Sequence, residues 1–188
     1  SVVDKRQDLL VSVVAGFIRR AAYSINGAVP VATSDIAGEL LPLIERAGVV
    51  IGHNIIQYDL AALQRLYGLD VEALVKSNRV HDTIVMARLA AGGDNRLEYT
   101  LDAVASRCGV DGKLLSGGET VLKTLAKQYG GYGKIPTDDP DYVKYALQDV
   151  QASTAVYHQL LPEPIAAVGV DSLRREPEQP SALSGARA

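Results

Sequence analysis

A chain of 188 residues with 47% hydrophobic positions and a net charge of −3 has enough apolar material for one core, and lacks the basic excess of proteins that coat nucleic acid. Its single cysteine, Cys108, excludes an internal disulfide and a thiolate zinc cage, and is expected to be a small buried apolar residue. No apolar run approaches the roughly 18 to 20 residues of a membrane-spanning helix and no signal-peptide pattern opens the chain, so a cytoplasmic protein without membrane contact is expected.

In chain order, residues 9–16 (LLVSVVAG) form a β-branched run, and residues 20–25 followed by Asn26-Gly27 predict a second, neighbouring strand and a turn. Thr33, Ser34 and Asp35 offer N-capping oxygens to a helix whose apolar face is Ile36, Leu40, Leu41, Leu43 and Ile44, ended by Gly48. Val49-Val50-Ile51 is a short buried strand that runs into Gly52-His53-Asn54. Helical spacing resumes over residues 58–66 through Leu60, Leu63 and Leu66. Residues 79–83 predict a brief strand entering a helix with Ile84, Val85, Met86 and Leu89, and residues 100–108 another helix. Residues 92–95 and 130–133, with Pro136 and Pro140, are expected loops, and residues 141–161 a long helix. The folded domain is expected over residues 1–161. Residues 162–188, with little apolar periodicity, are expected to be a disordered tail or linker. The start at Ser1 without methionine hints at a fragment or a processed chain.

Two acidic constellations carry chemistry. In GHNIIQYDL a strand delivers the chain to a loop that presents Asp59 at the start of a helix, where a carboxylate is placed either to bind a cation beside the strand's C-terminal edge or simply to cap the helix. In DYVKYALQD, Tyr145 and Asp149 stand at i and i+4 on one helix face, so the phenol can lie beside a water on a carboxylate-bound metal; the alternative is a ring packed on the core and a solvated carboxylate. An acidic chain suits phosphate chemistry of this kind because bound cations supply the positive charge. Neither a GxGxxG nor a GxxxxGK[ST] pattern is present, so the glycine-rich segments are not phosphate loops.

The ordered set GHNIIQYD, HDT and YALQD resembles the second and third motifs of the tyrosine-containing subgroup of the DEDD 3′→5′ exonuclease superfamily, as found in proofreading domains of family A DNA polymerases. The likeness spans about residues 9–161. It implies an α/β, ribonuclease H-like fold, a mixed sheet flanked by helices, and phosphodiester hydrolysis at DNA 3′ ends with two ions, Mg2+ or Mn2+. By the same resemblance Asp59 and Asp149 are metal ligands, Tyr145 orients the attacking water, and Asn54 lies near the terminal nucleotide. Tyr58 is a further candidate to line its place, and His53 either lines the site with it or is a loop histidine satisfied by its neighbours. Asp82 is expected to support the site rather than ligate, and His53, His81 and His158 are not expected to act as a catalytic set. Implied partners are single-stranded DNA 3′ ends and a polymerase domain in cis or in trans.

The family's first motif, Asp-x-Glu at the end of the first strand, has no counterpart. Asp4 is followed two positions later by Arg6, and residues 9–16 are matched to the family's second strand, so the first strand is expected to be missing and activity weak. Asp4 or Asp8 is a candidate substitute. Two further readings accompany the leading one: a non-catalytic module that holds DNA ends or props a polymerase, and an RNase D-like 3′→5′ exoribonuclease.

Overall fold

A computed structural model of the chain describes residues 9–17, 20–111 and 118–161. Asp4, Asp8 and the expected tail lie outside the described residues.

Five strands form one mixed sheet, β1 (Leu10–Phe17), β2 (Arg20–Ile25), β3 (Val31–Thr33), β4 (Val49–Gly52) and β5 (Val80–Asp82), in the order β3-β2-β1-β4-β5. β1 pairs parallel with β4, with Leu10 opposite Val49 and Ser12 opposite Ile51, and β4 pairs parallel with β5. β2 runs antiparallel to both of its neighbours.

This placement corrects the expectation of a missing first strand. The run read as a second strand is the central one. Val11, Ser12 and Val13 are all 0–1% exposed, which requires cover on both faces, and only an interior position of a sheet packed on both sides provides that. The edges of its neighbours are therefore paired, and the strand ends in Val13-Val14-Ala15-Gly16-Phe17, a stretch without a carboxylate.

Helices cover both faces. On one side Val11, Val13 and Val50 pack against Ile36, Leu40 and Ile44 and against Leu60, Leu63, Leu69, Val71 and Leu74. These come from a π-helical turn (Ile36–Leu40), α1 (Leu41–Arg46), α2 (Asp59–Tyr67) and α3 (Val71–Lys76). The expected capping oxygen is that of Asp35, which accepts from the Gly38 N–H at 2.8 Å. Arg79 ties α1 to the sheet by donating to the carbonyls of Glu45 and Ala47 at 2.6 Å each.

The other face is crossed by α7 (Pro140–Leu160), 21 residues long, whose Ala146 and Val150 pack on Val14 and Ala22. The alternation along β1 is therefore strict. Val11 and Val13 face the first helical layer, while Ser12 meets Thr154 of α7 at 2.7 Å between hydroxyls. Tyr157 meets His81 Nδ1 at 3.0 Å, locking the last turns of α7 to β5. Flanking α7 are α4 (Thr83–Ala90), α5 (Leu101–Arg107) and α6 (Gly118–Tyr129). Cys108 packs partly buried against the cluster these form around Val104 and Val156, and burial pushes its thiol pKa up, so it stays protonated and apolar in character. No helix of the described residues is long and apolar enough to cross a membrane.

Candidate active site

β4 and β5 end side by side, with Gly52 opposite Asp82. The chain leaves β4 through Gly52, His53 and Asn54, and two features force its path. Gly52 has no room for a side chain: a Cβ there would meet Ile55 Cβ at 2.9 Å, Ile55 Cδ1 at 2.8 Å and the Val13 carbonyl oxygen at 3.0 Å. Asn54 adopts φ 56°, in the left-handed region that asparagine tolerates better than most residues. Because Ile55 is fully buried and cannot retreat, Gly52→Ala is expected to cost about 1–3 kcal/mol by overpacking, measurable as a lower urea midpoint.

Asp82 then clamps this turn. Its carboxylate accepts from the backbone N–H of Asn54 at 2.8 Å and of Ile56 at 3.2 Å, and also caps α4 through the N–H of Ile84 at 3.1 Å. With its side chain given to three backbone donors and only 5% of the residue exposed, Asp82 supports the loop, as expected, instead of facing a ligand.

His53 is bound on both ring nitrogens. Nε2 lies 2.7 Å from the Tyr99 carbonyl, which can only accept, so Nε2 carries a proton; Nδ1 lies 2.8 Å from the Thr83 hydroxyl, which also has the Gly52 carbonyl at 3.3 Å. Neither nitrogen is open to a ligand in this arrangement. Burial lowers the pKa of His53, opposed by the Tyr99 carbonyl and Asp82. The unfolded chain therefore takes up the proton first, and this contribution to stability is present above about pH 6.5 and lost as pH falls through the lower folded-state value. Melting temperatures across pH 5–8 should fall more steeply on the acid side for the unaltered chain than for His53→Gln.

The clamped loop delivers Asp59, 7% exposed, at the first turn of α2. On α7, Asp149 is 9% exposed and Tyr145 is hydrogen-bonded to it. The Tyr145 phenol is pushed far above its ordinary pKa, chiefly by burial and then by the charge and hydrogen bond of Asp149, and the charge of Asp59 is also felt there. Asp149 thus adjoins Tyr145 on α7, and Asp59, from a distant segment, stands near enough for its charge to be felt at the phenol. Of the other expected site residues, Asn54 is partly buried in the turn, and Tyr58, 66% exposed, projects from the residue before Asp59.

Sequence reasoning missed α6. It packs Val121, Leu122, Leu125 and Ala126 against Tyr142 and Tyr145 of α7, and between the two helices lies a groove of about 290 Å³ lined by Thr120, Thr124, Gln128, Lys144, Tyr145 and Gln148 among others. The signal was the spacing of those four apolar residues, which is that of a helix face.

Two buried carboxylates beside a neutral phenol make a hard-oxygen donor set suited to a single Mg2+ or Mn2+ ion. A second ion would need further oxygens, and the end of β1 offers no carboxylate. Among the described residues no group of three or more His, Cys, Asp or Glu side chains stands at metal-binding spacing. Compared with known proteins, the chain matches no family model and no curated protein.

Proposed function

We propose that this chain is a 3′→5′ exonuclease domain of the tyrosine-containing DEDD type, with a ribonuclease H-like fold, acting on single-stranded DNA ends. The observation that carries this reading is the convergence of Asp59, Tyr145 and Asp149 at the C-terminal edge of a parallel strand pair. A five-stranded mixed sheet flanked by helices is compatible with such a fold.

Asp59 and Asp149 would hold a divalent cation against the scissile phosphate. Such an ion, when bound, stabilises charge on the phosphate and makes its water acidic. Tyr145, whose pKa is far above neutrality, stays a phenol at all working pH values and cannot serve as the base. Its part is to donate a hydrogen bond, to Asp149 in the resting site and to the attacking water or the phosphate in the reaction. Asn54 and Tyr58, held by the Asp82 clamp and by α2, line the approach of the last nucleotide. The groove between α6 and α7, about 290 Å³, opens beside Tyr145 and offers room next to the phenol.

The bare end of β1 favours a second reading, a module that holds 3′ ends without cutting them. A 5′-labelled single strand incubated with Mn2+ or Mg2+ separates the two: stepwise shortening from the 3′ end, stopped by EDTA, supports the exonuclease, whereas retention without shortening supports the holding module.

A further inference from the structure

We propose that the cleft between the start of β2 and α7 is a phosphate-binding site, and that Arg20 and Lys144 there hold a backbone phosphate of the strand whose 3′ end enters the acidic site. The inference rests on the nucleic-acid reading above.

Arg20 opens β2 opposite Phe17, the last residue of β1. The β1–β4 register reaches only Ser12 opposite Ile51, so β1 and β2 project beyond the end of β4, over the side where the acidic site lies. Arg20 shares a sheet face with Ala22, which packs on α7, and its guanidinium accordingly reaches the α7 side and donates through Nη1 to the Thr137 carbonyl at 3.1 Å. Its Nε–H is buried and has no acceptor. A buried donor on a cation without a partner is costly to keep, and an anion is the natural complement to it.

The cleft around this donor is lined by Val143, Lys144, Leu147 and Gln148 of α7, with Asp138 and Pro140 at the preceding turn. Lys144 is exposed, and no ion pair is formed by it or by Arg20 among the described residues. Asp138 is the opposing charge and is itself exposed. Lys144 and Gln148 also line the groove beside Tyr145, so they form a ridge with that groove on one side and the Arg20 cleft on the other. A strand crossing that ridge sets one phosphate at Arg20 and Lys144 while its 3′ end runs on toward Tyr145. The two cations also answer a physical need. A net-acidic surface repels a polyanion, and local positive charge beside the carboxylates is what lets a strand approach.

The test uses the full chain in EDTA, with a 12-residue oligothymidylate as probe. Fluorescence anisotropy should show affinity at low salt falling about three- to tenfold for Arg20→Gln and for Lys144→Gln, with the slope of log K against log salt reduced by about 0.7 for each phosphate that is no longer neutralised. Asp138→Asn should bind more tightly. Arg20→Lys, which keeps the charge, guards against misreading a folding defect, and Lys144→Gln alters only an exposed side chain. In 1H–15N spectra the Arg20 Nε–H signal should move on adding the oligonucleotide. Movement with inorganic phosphate as well supports the same anion chemistry, while movement with phosphate alone overturns a strand site. Unchanged affinity and slope in both charge variants, or no binding of the oligonucleotide, also overturns the proposal. If the charge variants weaken binding but no shortening occurs with Mn2+, the cleft stands and the exonuclease reading falls.

Discussion

Replacing Asp82 by alanine is expected to destabilise the chain by about 3–5 kcal/mol, a large part of the roughly 5–15 kcal/mol that holds a domain of this size. Three backbone N–H groups lose a charged acceptor at once. Losing the cap of α4 accounts for about 1 kcal/mol, and two partly buried donors in the turn before Asp59 account for the rest. Asp82→Asn keeps one acceptor oxygen in the same volume and should cost about 1–2 kcal/mol. Chemical denaturation measures both. Were Asp82 a metal ligand instead, Asp82→Asn would weaken Mn2+ binding, followed by electron paramagnetic resonance, with little change in stability.

The opposite pattern is expected for Asp149→Asn. Shortening of a labelled single strand should fall by at least about a hundredfold, because one of two carboxylates available to a cation is gone. Stability should hold within about 0.5 kcal/mol or rise, since the amide oxygen of the replacement can still accept from Tyr145 and one of two negative charges acting at the same point is removed. A spectroscopic signature accompanies this. Asp149 is one of the causes that raise the Tyr145 pKa, so its neutralisation should bring the phenol's alkaline titration downward, though burial keeps it above the ordinary value of about 10. Activity retained together with a stability loss above about 2 kcal/mol would make Asp149 a structural residue and remove the basis of the exonuclease reading.

Much of this arrangement was legible in the sequence where a local signal was strong. The strand into Gly52-His53-Asn54, the helix opened by Asp59 and the long helix carrying Tyr145 and Asp149 all lie where apolar spacing and turn residues put them. What stayed hidden depended on contacts between distant segments. β3 has three residues, too few to show a period of two, and is a strand because β2 pairs with it. The central place of β1 follows from its pairing with β4, which no window along the chain contains. α6 was obscured by glycines on both sides, which masked the helical spacing of Val121, Leu122, Leu125 and Ala126. In the site, the supporting part of Asp82 was legible, but not which groups it and His53 would bind, because their partners lie on other turns of the chain. For Leu66 and Leu89 the spacing misled: both are exposed, at 43% and 76%.

α7 packs across the sheet that β1 centres, and it carries two of the three converging residues. During synthesis, therefore, the first strand must wait for the last helix. Until the residues of α7 have cleared the ribosome, one face of the sheet, with Val14 and Ala22, stays uncovered and the Ser12 hydroxyl lacks Thr154. At about 5–20 residues per second the stretch between them takes several seconds or longer to emerge, an interval in which that apolar face is open to contact with other chains.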